Sequence, residues 1–99
     1  MLTSKQRAQL RKLANPLAVT LHIGKDGVTD GVIEQLNVLL DNHELVKGKV
    51  LESAMVSPKT VAEALCEDTG ADSVQVIGTK FVLYRMAPDP DKRKIVLEK

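Results

Sequence analysis

The spacing of apolar residues switches along the chain between a helical and a strand period, and the switches predict seven elements. Thr3 and Gln6 match a capping box, so the first predicted helix covers Ser4–Ala14. Its inward positions are predicted to be Leu10, Leu13 and Ala14. Asn15-Pro16 ends this helix, and the alternation over residues 18–23 predicts the first strand.

The middle of the chain predicts a helix, a strand and another helix. The second helix runs from Thr29 or Asp30 to about Asn42, because apolar residues recur there at helical spacing: Val32, Ile33, Leu36, Leu39 and Leu40. The second strand covers residues 45–51, with Val46, Gly48 and Val50 on one face and Lys47 and Lys49 on the other. Ser57-Pro58 is typical of a helix start and Thr69-Gly70 of a helix end, so these pairs bound the third helix.

The last predicted elements are two strands, residues 73–77 and 80–86, joined by a tight hairpin at Gly78-Thr79. The order helix-strand-helix-strand-helix-strand-strand predicts an α/β fold with a four-stranded mixed sheet packed with three helices. The second and third helices are expected on one face of the sheet. Residues 1–99 form one domain, with a body at 2–86 and an irregular tail at 87–99 that could pack back through Ile95–Leu97.

Composition is that of a globular domain, with 43% hydrophobic and 27% charged residues among 99. A net charge of only +1 argues, taken alone, against a nucleic-acid partner. The charges are segregated, however. Residues 1–14 contain no acid and four cations, Lys5, Arg7, Arg11 and Lys12, whereas acids concentrate in residues 26–44 and 63–72. Segregation can produce a basic face, and an ordinary solvated surface is the alternative.

Several functional classes lack support in the sequence. Apolar runs are too short to cross a bilayer, and residues 1–7 lack the apolar stretch of a secretory signal, so no membrane partner is expected. Cys66 is the single cysteine, which favours a reducing, cytoplasmic setting. His22 and His43 have no metal-ligand or acid–base spacing, and no serine has a nucleophile context. We therefore expect no enzyme activity, no cofactor, no metal and no small-molecule substrate.

The strongest local feature is Gly24-Lys25-Asp26-Gly27, between a strand and a helix. Glycines let a ligand approach the backbone closely, and the amides and dipole of the following helix favour an anion. Lys25 adds a cation, and Asp26 is interpreted as a turn residue bonded to its own backbone. A plain strand-to-helix turn is the alternative. The loop lacks both the Rossmann fingerprint and the P-loop ending, which disfavours nucleotide hydrolysis.

The lysines of the second strand and the two aromatic residues indicate what kind of contact with RNA is possible. Lys47 and Lys49 should face water or a ligand, although lysines also protect exposed sheet edges. Phe81 and Tyr84 lie an odd number of residues apart on one strand and so point to opposite faces. A base-stacking platform is therefore not expected, and any RNA contact should be mainly to the backbone.

Four segments in order, residues 21–33, 43–47, 74–78 and 82–85, resemble the CRM domain (chloroplast RNA splicing and ribosome maturation), in particular the stand-alone bacterial YhbY proteins. The resemblance covers residues 2–86. It implies a fold similar to the C-terminal domain of bacterial translation initiation factor three. It implies RNA binding through the loop residues Gly24, Lys25, Asp26 and Gly27 and through Lys47 and Arg85, with Lys49, Lys5, Arg7, Arg11 and Lys12 as extensions.

Stand-alone bacterial members of the family are associated with precursors of the large ribosomal subunit, and plant relatives with group II intron splicing. The resemblance therefore implies docking on structured ribosomal RNA or its precursor and a role in large-subunit assembly, and we expect the protein to be a monomer. Two alternatives stay open: a protein-interaction adaptor with an apolar patch at Ile95–Leu97 or Met86, and a nucleotide-binding enzyme or sensor. Gly48 departs from the family pattern, which usually has a branched apolar residue there, and is expected to weaken its strand.

Overall fold

Three helices and four strands follow one another in the predicted order. The structure, a computed structural model, describes residues 2–98, so Met1 and Lys99 of the predicted domain lie outside the described residues. The elements are α1 (Ser4–Ala14), β1 (Leu21–Ile23), α2 (Asp30–His43), β2 (Leu45–Val50), α3 (Pro58–Thr69), β3 (Asp72–Ile77) and β4 (Lys80–Tyr84), followed by one 3₁₀ turn, Pro90–Lys92. No helix in this described part of the chain is both long and apolar enough to span a membrane.

The helix ends form as their local sequences predict. Thr3 and Gln6 make both bonds of the capping box at the start of α1. Ser57 caps α3, with proline in its first turn, and Gly70 ends it in the left-handed region at φ 74°. These signals depend on residues three or four apart, which is why sequence alone locates them well.

The four strands form one mixed sheet in the order β1-β2-β4-β3. β1 and β2 are parallel, and the other neighbouring pairs are antiparallel. Gly78 takes a positive φ of 59° in the two-residue hairpin between β3 and β4, as the predicted turn requires. The predicted four-stranded mixed sheet is therefore confirmed.

The sheet is covered on both faces, and each covering layer has its own apolar cluster. α2 and α3 share the inner face, as predicted, and bury Leu36, Leu40, Val61 and Leu65 against strand residues that include Phe81. α1 covers part of the outer face. There Leu10 and Ala14 pack with Leu2, Leu45, Val74, Val82 and Tyr84, and Ile95 and Leu97 of the tail close the cluster.

Five details differ from the sequence prediction. β1 begins at Leu21 instead of residue 18, β2 ends at Val50 instead of residue 51, β3 begins at Asp72 instead of residue 73, and β4 ends at Tyr84 instead of residue 86. The ends of a strand are set by its pairing with a neighbouring strand, and the alternation of residues within one strand does not predict that pairing. Leu13, expected inward, is 43% exposed, because it borders a groove beside α1 instead of the sheet.

Gly48 has a packing role that corrects the expectation of a weakened strand. It lies directly opposite Phe81 on the neighbouring strand. A Cβ built on Gly48 would overlap three carbons of the Phe81 ring, which is fully buried. The intrinsic disadvantage of a mid-strand glycine remains. The ring fills the space that a side chain would occupy, so the pair contributes to the core as a unit.

A buried carboxylate holds the C-terminal tail to the body, together with bonds from the tail to Gln6 and Gln9 of α1. Glu44 is fully buried and has a positive φ of 65°. Its Oε1 accepts hydrogen bonds from the amides of Lys94 and Ile95, at 2.7 and 3.2 Å, and its Oε2 accepts one from the amide of Ala87, at 3.0 Å. Its carbonyl oxygen accepts a bond from the Arg85 amide. These four bonds hold a strained residue in place and fix the path of the tail.

Candidate nucleic-acid interface

The part of the outer sheet face that α1 leaves open carries a row of basic side chains. His22 pairs with Lys49, and Lys49 pairs with Lys80, so the three lie side by side on β1, β2 and β4. His22 and Lys80 are exposed, and Lys49 is partly exposed. Neighbouring strands are about 4.8 Å apart, so the row presents two closely spaced ammonium groups beside an imidazole, with no acid between them.

Lys47 and one side of α1 extend this basic surface. Lys47 lies on the same face as Lys49, two residues earlier on β2, and its Nζ is 3.5 Å from the carbonyl oxygen of Asn15. Arg7 donates from Nε to the carbonyl oxygen of Ser73 at 3.3 Å, which directs that side of α1 toward β3. Arg11 lies one turn further along the same side and is exposed.

The other two predicted cations of α1 lie elsewhere. Lys5 and Lys12 are exposed, and their positions relative to the buried Leu10 place them on the side of α1 directed away from the sheet. We define the outer basic face as His22, Lys47, Lys49, Lys80, Arg7 and Arg11.

The glycine loop continues from β1 at the end of the basic row nearest Ile23. Gly24 is two residues beyond His22, or about 7 Å along the strand. The loop is a turn closed by a 3.0 Å hydrogen bond from the Gly27 amide to the Gly24 carbonyl oxygen, with φ 67° at Gly27. A Cβ built on Gly24 would meet no atom within 4 Å. The fold therefore requires glycine at position 27 and does not require it at position 24.

The protein itself uses some of the amides near this loop. Thr29 accepts from the amides of Val32 and Ile33, through its side chain and its carbonyl oxygen respectively. Among residues 2–98, the amides of Lys25, Asp26, Asp30 and Gly31 have no acceptor. Lys25 is exposed at the tip of the turn. The loop can thus offer several amides and one ammonium group to an anion.

Asp26 does not take the role predicted for it. Its carboxylate makes no hydrogen bond to a described residue, because the backbone bond from Gly27 to Gly24 already closes the turn. Asp26 and Asp30 are both exposed, so two carboxylates lie beside the loop. Anion binding here depends on whether Lys25 and the basic row outweigh them.

Arg85 has an intramolecular role instead of an exposed one. Its guanidinium donates to the side chain and carbonyl oxygen of Asn37, to the carbonyl oxygen of Thr69 and to Asp41, which lies 2.8 Å away. The side chain is only 23% exposed. Arg85 also follows the end of β4 that is remote from the glycine loop. These contacts join α2, α3 and β4, and we leave Arg85 out of the outer basic face.

The two faces of the molecule differ in charge. α2 and α3 contain one cation, Lys59, and six acids: Asp30, Glu34, Asp41, Glu63, Glu67 and Asp68. α1 contains four cations and no acid. The segregation seen in the sequence therefore becomes a separation across the sheet.

The structure shows little that resembles catalytic chemistry. Burial, with a smaller contribution from Asp72, raises the pKa of the Cys66 thiol to about 11 and keeps it protonated at neutral pH. Burial first, then the charge of Glu44, raises the pKa of Tyr84. In residues 2–98 no group of His, Cys, Asp and Glu is arranged to hold a metal ion.

Comparison with known proteins identifies the family. A model of the CRS1/YhbY (CRM) domain matches residues 2–85, so this chain belongs to that family. The probable RNA-binding protein YqeI of Bacillus subtilis is 40% identical over 85 residues, which cover 86% of this chain and 88% of that protein. A probable RNA-binding protein of Pseudomonas aeruginosa is 32% identical over 91 residues, covering 92% of this chain and 88% of that protein.

A solved structure confirms the fold class. The solution structure of hypothetical protein SAV1595 from Staphylococcus aureus, described as a candidate RNA-binding protein, matches with a TM-score of 0.78 at 38% identity. The match covers 97% of this chain and 100% of that one. The family and its named relatives are RNA-binding proteins and not enzymes, in agreement with the expectation drawn from the sequence.

Neither Lys80 nor His22 is among the RNA-binding residues predicted from the sequence. The alignment of Lys80 with Lys49 depends on the pairing of β2 with β4, which are far apart in the chain. The two-residue hairpin was a partial signal, because it fixes the pairing of Ile77 with Lys80 and hence the face on which Lys80 lies.

Proposed function

We propose that this protein binds structured RNA through the outer basic face and the adjoining glycine loop, and that it assists assembly of the large ribosomal subunit. The observation that carries the proposal is the row His22, Lys49 and Lys80, aligned across three strands beside the loop. Lys49 and Lys80 are directly opposite each other on β2 and β4, and like charges in such a pair are destabilising. A ligand that carries closely spaced negative charges, as a ribose-phosphate chain does, would relieve that repulsion.

The mode of contact follows from what surrounds the cations. Phe81 and Tyr84 are buried in the core, so neither aromatic ring is available for stacking on bases. Lysine and arginine side chains with free loop amides recognise phosphate groups and their geometry. We therefore propose binding that reads RNA shape more than sequence. The names of the relatives as RNA-binding proteins support this partner.

The ribosomal assignment follows the resemblance to stand-alone bacterial members of the family. The adaptor alternative loses one of its two features, because Ile95 and Leu97 pack into the outer core cluster and leave Val96 as the exposed member of that segment. Its other feature, Met86, is 55% exposed, and single exposed apolar side chains are common on protein surfaces.

The salt dependence of binding to a ribosomal RNA fragment tests the proposal. If four to six phosphates are contacted, the log–log slope of affinity against salt should be roughly −3 to −5. Lys49→Gln should weaken binding and make the slope less steep by about 0.9. Lys59→Gln is the matched control, because Lys59 lies at the start of α3 and so belongs to the acidic layer. A flat salt response, or equal effects of the two substitutions, would refute the proposed face.

Crosslinking in cells tests the ribosomal part. Ultraviolet crosslinking followed by sequencing should recover large-subunit RNA with the wild-type protein and much less with Lys49→Gln. Recovery of other RNAs only would leave RNA binding intact and overturn the ribosomal assignment. Association with ribosomal particles that survives nuclease treatment, without any crosslink, would favour the adaptor.

A further inference from the structure

A groove opens beside α1 at the end of the outer basic face remote from the glycine loop. Its volume is about 440 Å³. Six aliphatic residues form its apolar lining: Leu13, Leu17, Ala18, Leu45, Val46 and Ile95. The polar residues at the groove are Thr20, His43, Lys47 and Lys94, and none of its lining residues is acidic.

The groove is continuous with the surface proposed above for RNA. Lys47 belongs both to the groove and to the outer basic face. Thr20, whose amide donates to the Lys47 carbonyl oxygen, precedes β1 and so leads toward Gly24. Gly24 is four residue steps of extended chain beyond Thr20, a distance of about 13 Å. One RNA molecule lying on the basic face would therefore reach both places.

We propose that this groove holds a single unpaired base of the bound RNA. This inference rests on the proposed function and adds a specificity site to it. Flat aliphatic walls suit the faces of a base, while the hydroxyl of Thr20 and the imidazole of His43 can bond to its edge. Lys47 and Lys94 lie where the phosphates on either side of an extruded nucleotide would pass. The protein then prefers structured RNA that contains a bulge or a loop.

The size and charge of the groove favour a base over a protein partner. Specific protein interfaces bury about 800 Å² on each partner, which is far more than the lining of one groove of this size provides. Ligand pockets for small groups begin at about 300 Å³, and this groove falls in that range. The cationic rim also favours an anionic ligand.

The groove includes a part of the chain that lies outside the family match. Lys94 and Ile95 belong to the tail, beyond residue 85, and the Glu44 carboxylate holds both of their amides. Glu44 thus positions one wall of the groove. The buried carboxylate therefore both anchors the tail and shapes the groove.

A pair of matched RNA hairpins tests the inference. One hairpin is fully paired, and the other carries a single bulged 2-aminopurine. Wild-type protein should bind the bulged hairpin about tenfold more tightly, which corresponds to about 1.4 kcal/mol, because a bulged base is extruded at little cost. The fluorescence of the 2-aminopurine should change on binding and saturate with the same Kd.

Ala18→Trp fills the groove, since Ala18 is one of its lining residues and is exposed. This variant should lose the preference for the bulge and keep the salt slope. Leu17→Ala, which removes one wall, should reduce the preference by a milder change. Ala8→Trp is the control, because Ala8 is exposed on α1 and does not line the groove.

The possible outcomes separate the two proposals. If wild-type protein binds both hairpins equally, with a steep salt slope and no change in 2-aminopurine fluorescence, the groove is not a base site and the outer basic face stands. If neither hairpin is bound in a salt-dependent way, both proposals fail. If Ala18→Trp keeps the preference while folded, the base lies elsewhere and the inference is overturned.

Discussion

Replacing Gly48 by alanine should destabilise the protein, although alanine is the better residue for an ordinary strand. Removing a mid-strand glycine gains about 0.5–1 kcal/mol. The new methyl group would, however, overlap three carbons of the buried Phe81 ring. Forcing an extra methyl into a packed core costs about 1–3 kcal/mol. We therefore expect a net loss of about 1–2 kcal/mol, or about 5–15 °C in Tm for a domain of this size.

A double-mutant cycle with Phe81→Leu isolates the contact. Phe81→Leu alone leaves part of the ring's space empty and is destabilising. In the double variant the methyl group added at position 48 no longer meets the ring, so the loss should be smaller than the sum of the single losses by about 1 kcal/mol. Urea unfolding followed by circular dichroism measures all four free energies.

Wild-type stability of Gly48→Ala, or two losses that simply add, would contradict this contact between position 48 and the Phe81 ring. RNA binding supplies an internal control. Gly48 shares the inner face with Phe81, so the folded variant should keep the affinity of the wild type below its melting temperature.

Three further predictions follow from single residues. Gly24→Ala should leave stability unchanged, because its Cβ meets no protein atom, and should weaken RNA binding. Gly27→Ala should lose about 1 kcal/mol of stability, because position 27 has a positive φ. Equal stability losses in thermal melts would contradict this. Glu44→Gln should lower the free energy of unfolding by about 2–3 kcal/mol, since it puts an amide donor against buried N–H groups. It should also speed hydrogen exchange at the amides of Ala87 and Lys94. Unchanged exchange would count against the anchoring role. Burial raises the pKa of the Cys66 thiol from 9.0 to about 11, so Cys66 should resist alkylation at pH 8 until urea is added; equal alkylation rates with and without urea would contradict this. The stability that the protonated thiol provides should be complete below pH 9 and should decline as the pH rises toward 11.

Local signals in the sequence predicted the order of elements and the helix caps. The capping box at Thr3 and the left-handed Gly70 each depend on neighbours within one turn, so the sequence contains all the information needed. The start of β1 was placed too early because strand limits depend on a partner. Residues 18–20 alternate as a strand would, but ladder pairing begins at Leu21 opposite Gly48.

The candidate site was predictable only in part, for the same physical reason. Lys47 and Lys49 were placed on the correct face by simple alternation within β2. Lys80 joins them through strand pairing, and Arg85 is withdrawn from the surface by Asn37 and Asp41, 48 and 44 residues away in the chain. The roles of Gly48 and Glu44 likewise depend on partners distant in sequence. The composition of the chain and the spacing of its residues do not predict contacts between residues that are distant in sequence.

The separation of charge across the sheet affects how the molecule meets a polyanion. With a net charge of +1, the attraction at long range is weak. The acids of α2 and α3 and the cations of α1 nevertheless give the molecule an electric dipole, on which an approaching phosphate chain exerts a torque. The molecule should therefore rotate before it touches the RNA and arrive with α1 leading. Such pre-orientation would raise the fraction of productive encounters, while the low net charge keeps non-specific binding to other nucleic acids weak.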